Sequence, residues 1–182
     1  DTDDAARQMA PHLSSGAGVF SMQNGVDNAE RIRSQAPQAS VVPILVYAAA
    51  AMAGPGSVRH TGGGNVVGGR DMPGEVAALF KNAGIPLKIT DHIDVELWTK
   101  LVMNCAYNAV CALTGAPYGR MVATPEIRAV MLDVVAEVAQ VARAKGVARP
   151  GDIGDTVIKL ADVMPRTMSS TAQDILNAGP TE

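Results

Sequence analysis

The spacing of polar and apolar positions changes near residue 91. Before it, short apolar runs alternate with helical stretches; after it, the three-four spacing of helices takes over. Asp1 to Leu13 predicts an amphipathic helix capped by Thr2 or Asp3, with acids in the first turn where the helix dipole favours them. Val19 to Met22 predicts a short strand. Gln23-Asn24-Gly25 follows as a turn in which Asn and Gly can take positive φ. Asp27 stands where it could cap a second helix running to about Gln35. Ser40 to Met52 is a strand rich in Val, Ile, Leu and Ala, closed by Gly54-Pro55-Gly56. Ser57 to Thr61 and Asn65 to Gly68 predict two short strands, which would end the sheet in an antiparallel meander. Pro73 to Ala83 predicts a helix begun by Pro and ended by Gly84, and Pro86 to Thr90 a final strand.

Asp94 suits the cap of the next helix, Glu96 to Gly115, and Ala116 to Ala123 reads as a loop. Pro125 to Lys145 is a packing helix: Ile127, Val130, Met131, Val134, Val135, Val138, Val141 and Ala142 recur at three-four spacing. A break at Pro150 to Gly154 precedes a helix over Asp155 to Asp162, ended around Met164-Pro165. The segment from Arg166 to Glu182 is polar, with Ser170 a candidate helix cap. The pattern is α/β up to residue 91 and all-helical over residues 92–182, with a domain boundary between.

The Glu96 to Gly115 helix organises the rest. Leu97, Leu101, Val102, Met103, Cys105, Ala106, Val110, Cys111, Ala112 and Leu113 coat almost every side, which predicts burial. Within that coat, Lys100, Asn104 and Asn108 recur every fourth residue. Four residues advance only about 40° around a helix, so the three form one slanted stripe rising roughly 12 Å. A buried ammonium and two amides require polar partners, from the protein or from a ligand.

Composition narrows the function classes. Of 182 residues, 47% are hydrophobic and 18% charged, which describes a globular chain. Aromatic residues make up 3%, so the core must rely on aliphatic residues and the nine Met. A net charge of −3 without a basic run argues against nucleic-acid binding. No apolar run reaches the roughly 20 residues of a membrane helix. Cys105 and Cys111 point about 240° apart on one helix and cannot pair there, which suggests free thiols in a cytoplasmic protein. His12, His60 and His92 lack ligand spacing, so no metal site is expected. The GGGNVVGG segment at residues 62–69 is neither GxGxxG opening a helix nor GxxxxGKS, and reads as a hairpin bend.

Four segments occur in an order that carries a family resemblance: SMQNGVDNAERI, GPGSVRHT, ELWTKLVMNCAYNAVCALTGA and MSSTAQDILNAGPTE. Together they resemble ketopantoate reductase (2-dehydropantoate 2-reductase) over nearly the whole chain. The resemblance implies a Rossmann-type NADPH domain, here lacking its first strands and GxGxxG, followed by a helical substrate domain. It implies Lys100 as the catalytic lysine and Asn104, Asn108 and Ser170 as substrate contacts. Asn24 would lie beside the nicotinamide and the substrate, and Glu182 would match the acidic partner of the active site. The implied reaction reduces a small 2-keto acid, ketopantoate, to pantoate on the way to pantothenate and coenzyme A, and a homodimer is the expected assembly. Both ends are expected to continue in a longer protein. Three alternatives stand beside this reading: a reductase of another 2-keto acid with the same architecture, Schiff-base chemistry at a buried lysine, and a non-catalytic helical dimerisation module.

Overall fold

The computed structural model describes residues 1–147 and 153–181. The chain divides into two compact units, Asp1–Leu97 and Trp98–Glu182.

In the first unit, helix α1 (Thr2–Met9) leads through a single 3-10 turn (Ala10–His12) to strand β1 (Gly18–Ser21). The cap is Asp1, whose carboxylate accepts from the Asp4 N–H at 3.0 Å, one or two residues before the expected caps. Pro11 lies in the 3-10 turn, where the single expected helix is interrupted. Helix α2 (Asn28–Gln35) starts after Asp27, whose side chain makes no capping bond. Strand β2 (Ser40–Gly54) pairs in parallel with β1 and antiparallel with β3 (Ser57–Gly69). Helix α3 (Gly74–Asn82) then leads to β4 (Leu87–Thr90), parallel to β3. The sheet order is β1-β2-β3-β4.

The two short strands expected after Gly56 are one strand. Its register against β2 shifts between Tyr47 and Ala48 and again between Ala49 and Ala50, each time leaving one extra residue in β3. Glycine is required at the first bulge: Gly63 has φ +73°, and a Cβ there would lie 2.1 Å from the Tyr47 carbonyl oxygen. The glycines that read as loop punctuation from sequence therefore bend a long ribbon.

Alternation along β2 explains its continuous apolar run. Val41 packs with Ala6, Ala29 and Ile32 of α1 and α2, while Val42 and Ile44 pack with Val66 and Met72 and against Phe20, Val76, Ala77 and Phe80. Helices thus cover both faces, as in α/β sheets.

The second unit is helical. Helix α4 (Ile93–Thr114) starts one residue before Asp94, which therefore sits in its first turn rather than at its cap. The expected loop at residues 116–123 contains a six-residue helix, α5 (Tyr118–Ala123). Helices α6 (Pro125–Ala144), α7 (Ile153–Val163) and α8 (Ser170–Leu176) follow. The break expected over Pro150 to Gly154 falls mostly on residues 148–152, outside the described residues; Ile153 and Gly154 already belong to α7. One core joins all five helices through Val102, Ala106, Tyr107, Cys111, Met121, Met131, Val135, Val157 and Ala172. Of the apolar positions on α6, Val130 and Val141 are half exposed and lie at the margin of the packed face. Among the described residues, no helix is long and apolar enough to cross a membrane.

Helix α5 forms because tertiary bonds hold it. The Tyr118 N–H donates to the Thr167 carbonyl and the Gly119 N–H to the Pro165 carbonyl, both at 3.0 Å. A Cβ on Gly119 would meet the Pro165 carbonyl oxygen at 3.0 Å and its Cα at 3.2 Å. Gly119→Ala is expected to force α5 off this segment, costing about 1–3 kcal/mol in urea unfolding. An unchanged midpoint would show that the segment yields freely.

Tyr107 and Tyr118 stack with centroids 4.0 Å apart, and the Tyr107 hydroxyl donates to the Val157 carbonyl at 2.8 Å. Burial pushes both phenols up to about 12 from the ordinary value of 10. The unfolded chain loses these protons near pH 10, whereas the folded chain keeps them to about 12. Their stabilising contribution is therefore intact below pH 10 and lost between 10 and 12. Alkaline titration should show tyrosinate absorbance and loss of helical circular dichroism rising together across that window. Full tyrosine ionisation at pH 10 with helix content intact would contradict this packing.

Candidate functional site

Lys100, Asn104 and Asn108 lie on one uninterrupted helix, so the stripe survives as read. The burial of its helix does not. Only Val102, Ala106, Tyr107 and Cys111 of α4 are buried, while Lys100, Asn104 and Asn108 are half-buried and Leu113 is 87% exposed. At 100° per residue, Lys100 and Asn104 flank Cys111 by roughly 20° on either side, and Asn108 lies about 60° away. The stripe thus runs beside buried Cys111, and its three residues are half-buried.

Lys100 is not without a partner. Cys105 is half-buried, and burial raises its thiol pKa; Cys111 is fully buried. Both are free thiols.

The C-terminal end of the stripe is fastened to α8. The Ser169 hydroxyl donates to the Asn108 carbonyl at 3.3 Å and accepts the Ala172 N–H at 3.1 Å. The Ser169 N–H donates to Cys111 Sγ at 3.3 Å, and that thiol donates to the Ala116 carbonyl at the same distance. Ser169 is the cap of α8 and is 1% exposed, whereas Ser170 is the first helical residue and is exposed. The capping role expected of Ser170 therefore belongs to its neighbour. The fastening nevertheless brings Ser170 within one residue of a group bonded to Asn108.

Asn24 lies in the first unit, in the turn after β1. The turn is pinned by residues that the sequence did not single out for this role. Asn28 Nδ2 donates to the Asn24 carbonyl at 2.7 Å, and Asn28 Oδ1 accepts the Thr2 hydroxyl at 2.9 Å. Gln23 Nε2 donates to that same hydroxyl at 3.1 Å. Thr2 and Asn28 are both buried. No periodicity reports such a link, because Thr2 and Asn28 meet only when α1 packs on α2. Glu182, the expected acidic partner, lies outside the described residues.

Other chemistry is sparse. Among the described residues, no group of three or more His, Cys, Asp or Glu could hold a metal ion. An open depression of about 420 Å³ in the first unit is lined by Tyr47, Asn65, Lys88 and Glu96, among others, and its two charges pair with each other at 2.7 Å.

Comparison with known proteins matches this layout. The family model described as the ketopantoate reductase PanE/ApbA C terminal covers residues 92–182, and the one described as ketopantoate reductase PanE/ApbA covers residues 1–71. The 2-dehydropantoate 2-reductase of Pyrobaculum aerophilum is 31% identical over 180 residues, spanning 97% of this chain and 61% of that protein. That of Halobacterium salinarum is 31% identical over 188 residues, spanning 100% of this chain and 62% of the relative. The crystal structure of a PanE/ApbA family ketopantoate reductase from Ralstonia eutropha JMP134 is 44% identical with a TM-score of 0.92, covering 100% of this chain and 61% of that one. This chain therefore spans about three-fifths of the length of these relatives. With a Rossmann-type piece followed by a helical domain, and both family models matched in order, the chain belongs to the ketopantoate reductase family.

Proposed function

We propose that this chain carries the substrate-facing part of an NADPH-dependent 2-dehydropantoate 2-reductase, which reduces ketopantoate to pantoate on the route to pantothenate. The observation that carries the reading is the half-buried Lys100-Asn104-Asn108 stripe, fastened at one end to the Ser169 cap of α8. On this reading, residues 1–91 form the cofactor side and residues 92–182 the substrate side, in a cytoplasmic, homodimeric enzyme.

The residues present fit one end of a dinucleotide. The parallel β1–β2 pair ends at the Gln23–Gly25 turn, and open α/β sheets bind ligands beyond the carboxyl ends of their strands. Gly62, Gly63 and Gly64 lie inside β3 rather than at a helix N-terminus, so they do not provide a pyrophosphate cradle. A bound nicotinamide would supply the hydride that adds to the keto carbon.

Every other step belongs to side chains. Lys100 Nζ polarises the ketone and gives its proton to the alkoxide as the hydride arrives, then regains one from solvent. Asn104 and Asn108, one and two turns further along, hydrogen-bond the substrate oxygens and fix the carbonyl against Lys100. Ser170 binds the carboxylate, and Asn24 is a contact of the nicotinamide. Glu182 holds the Lys100 ammonium or the substrate hydroxyl.

The test is NADPH oxidation by the full-length protein across a panel of 2-keto acids, with NADH run in parallel. Ketopantoate with NADPH is expected to give the highest kcat/KM. A higher value for another 2-keto acid would change the substrate and keep the reaction class. No turnover with any of them would overturn the reading.

A further inference from the structure

We propose that Asn28, acting with Thr2, is the positioning residue of the Gln23-Asn24-Gly25 turn and sets the presentation of Asn24; this rests on the reading of Asn24 as a site residue. Both ends of the Asn28 amide are used. Its Nδ2 donates to the Asn24 carbonyl at 2.7 Å and its Oδ1 accepts from Thr2 at 2.9 Å. The donor to a carbonyl must be the nitrogen and the acceptor from a hydroxyl the oxygen, so the two bonds fix one amide orientation. The Thr2 hydroxyl closes the circuit by accepting from Gln23 Nε2 at 3.1 Å. Consecutive turn residues are therefore tied to two different helices, Gln23 to α1 and Asn24 to α2.

The clamp is buried and close-packed. Asn28 is 8% and Thr2 9% exposed, so neither bond competes freely with water. Gly25 follows with φ +113°, and a Cβ there would lie 2.9 Å from Asn28 Nδ2. Only glycine at position 25 lets the amide come this near. A turn with free φ and ψ would spread Asn24 over several positions; here its carbonyl has one. Fixing a contact residue in advance removes an ordering cost from substrate binding and the transition state.

The clamp can be broken without dissolving the packing beside it. The α1–α2 contact retains Ala6, Ala29 and Ile32, and Arg31 pairs twice with Asp3, at 2.6 and 3.1 Å. Asn28→Asp keeps an acceptor for Thr2 and puts an oxygen against the Asn24 carbonyl. Thr2→Val removes the hydroxyl at nearly constant shape.

The experiment uses the full-length enzyme, with kcat/KM for ketopantoate and thermal unfolding measured on each variant. Asn28→Asp is expected to lower kcat/KM tenfold or more, and Thr2→Val several-fold, with Thr2→Ser recovering most of that loss. A cycle with Asn24→Ala decides the mechanism. If Asn28 acts through Asn24, the Asn24→Ala/Asn28→Asp double variant falls within twofold of Asn24→Ala alone. Losses that multiply overturn the positioning role and leave the Asn24 reading standing. So does an Asn28→Asp enzyme within twofold of wild type when Asn24→Ala is impaired. An Asn24→Ala enzyme with wild-type kcat/KM overturns both.

Discussion

Lys100→Ala in the full-length enzyme is expected to lower kcat by about 10²- to 10⁴-fold, the usual contribution of a positioned proton donor. On the proposed mechanism the loss falls on kcat more than on KM, because the proton would be transferred only as the alkoxide forms. Unfolding should change little: Lys100 is half-buried at the border of the packed face and does not belong to the core built from Val102, Tyr107 and Cys111. Asn108→Ala supplies the contrast, since a substrate anchor held in ground and transition states alike should mainly raise KM. Steady-state kinetics on the two variants checks both roles. A Lys100→Ala enzyme with wild-type turnover would remove the lysine from the mechanism. A substrate trapped on Lys100 by borohydride would replace proton donation with Schiff-base chemistry.

The largest stability effect is expected at Tyr107. Its side chain is 1% exposed, stacks on Tyr118 of α5 and donates to the Val157 carbonyl of α7 at 2.8 Å. Tyr107→Ala removes the ring and the bond together and should cost about 3–5 kcal/mol. Tyr107→Phe keeps the ring and should cost about 1 kcal/mol for the lost hydrogen bond. Urea unfolding of the three proteins separates the two contributions. Equal losses for Phe and Ala would mean that the hydroxyl, rather than ring packing, joins α4 to α7.

Much of this fold is legible locally. The Lys100-Asn104-Asn108 stripe depends only on helical spacing, so it reads the same in sequence and in structure. The β2 run from Val41 to Leu45 reads as a strand, and in the structure α1, α2 and α3 cover both its faces. The family resemblance was also carried by local segments around Asn24, Lys100 and Ser170. Local sequence misleads where two patterns compete. Ser170-Thr171-Ala172-Gln173 fits the S-x-x-Q capping pattern, which favours Ser170. Ser169 caps instead, because its hydroxyl also reaches the Asn108 carbonyl. Gln173 bonds the Met168 carbonyl at 3.0 Å. Residues 118–123 read as a loop because so short a helix is unstable alone. Its bonds to Pro165 and Thr167 come from a segment more than forty residues away along the chain.

The sequence by itself determined most of the helices and strands, the change from α/β to helix near residue 91 and the polar stripe on α4. These follow from periods of two and 3.6 residues and from side-chain chemistry, which any short window contains. Tertiary structure alone decided which side of α4 is covered, which serine caps α8 and what holds the turn at Asn24. Each of those rests on a contact between distant residues, as when Thr2 meets Asn28 or Ser169 meets Asn108. Such contacts exist only once apolar packing has set the helices against each other, and no local pattern records them.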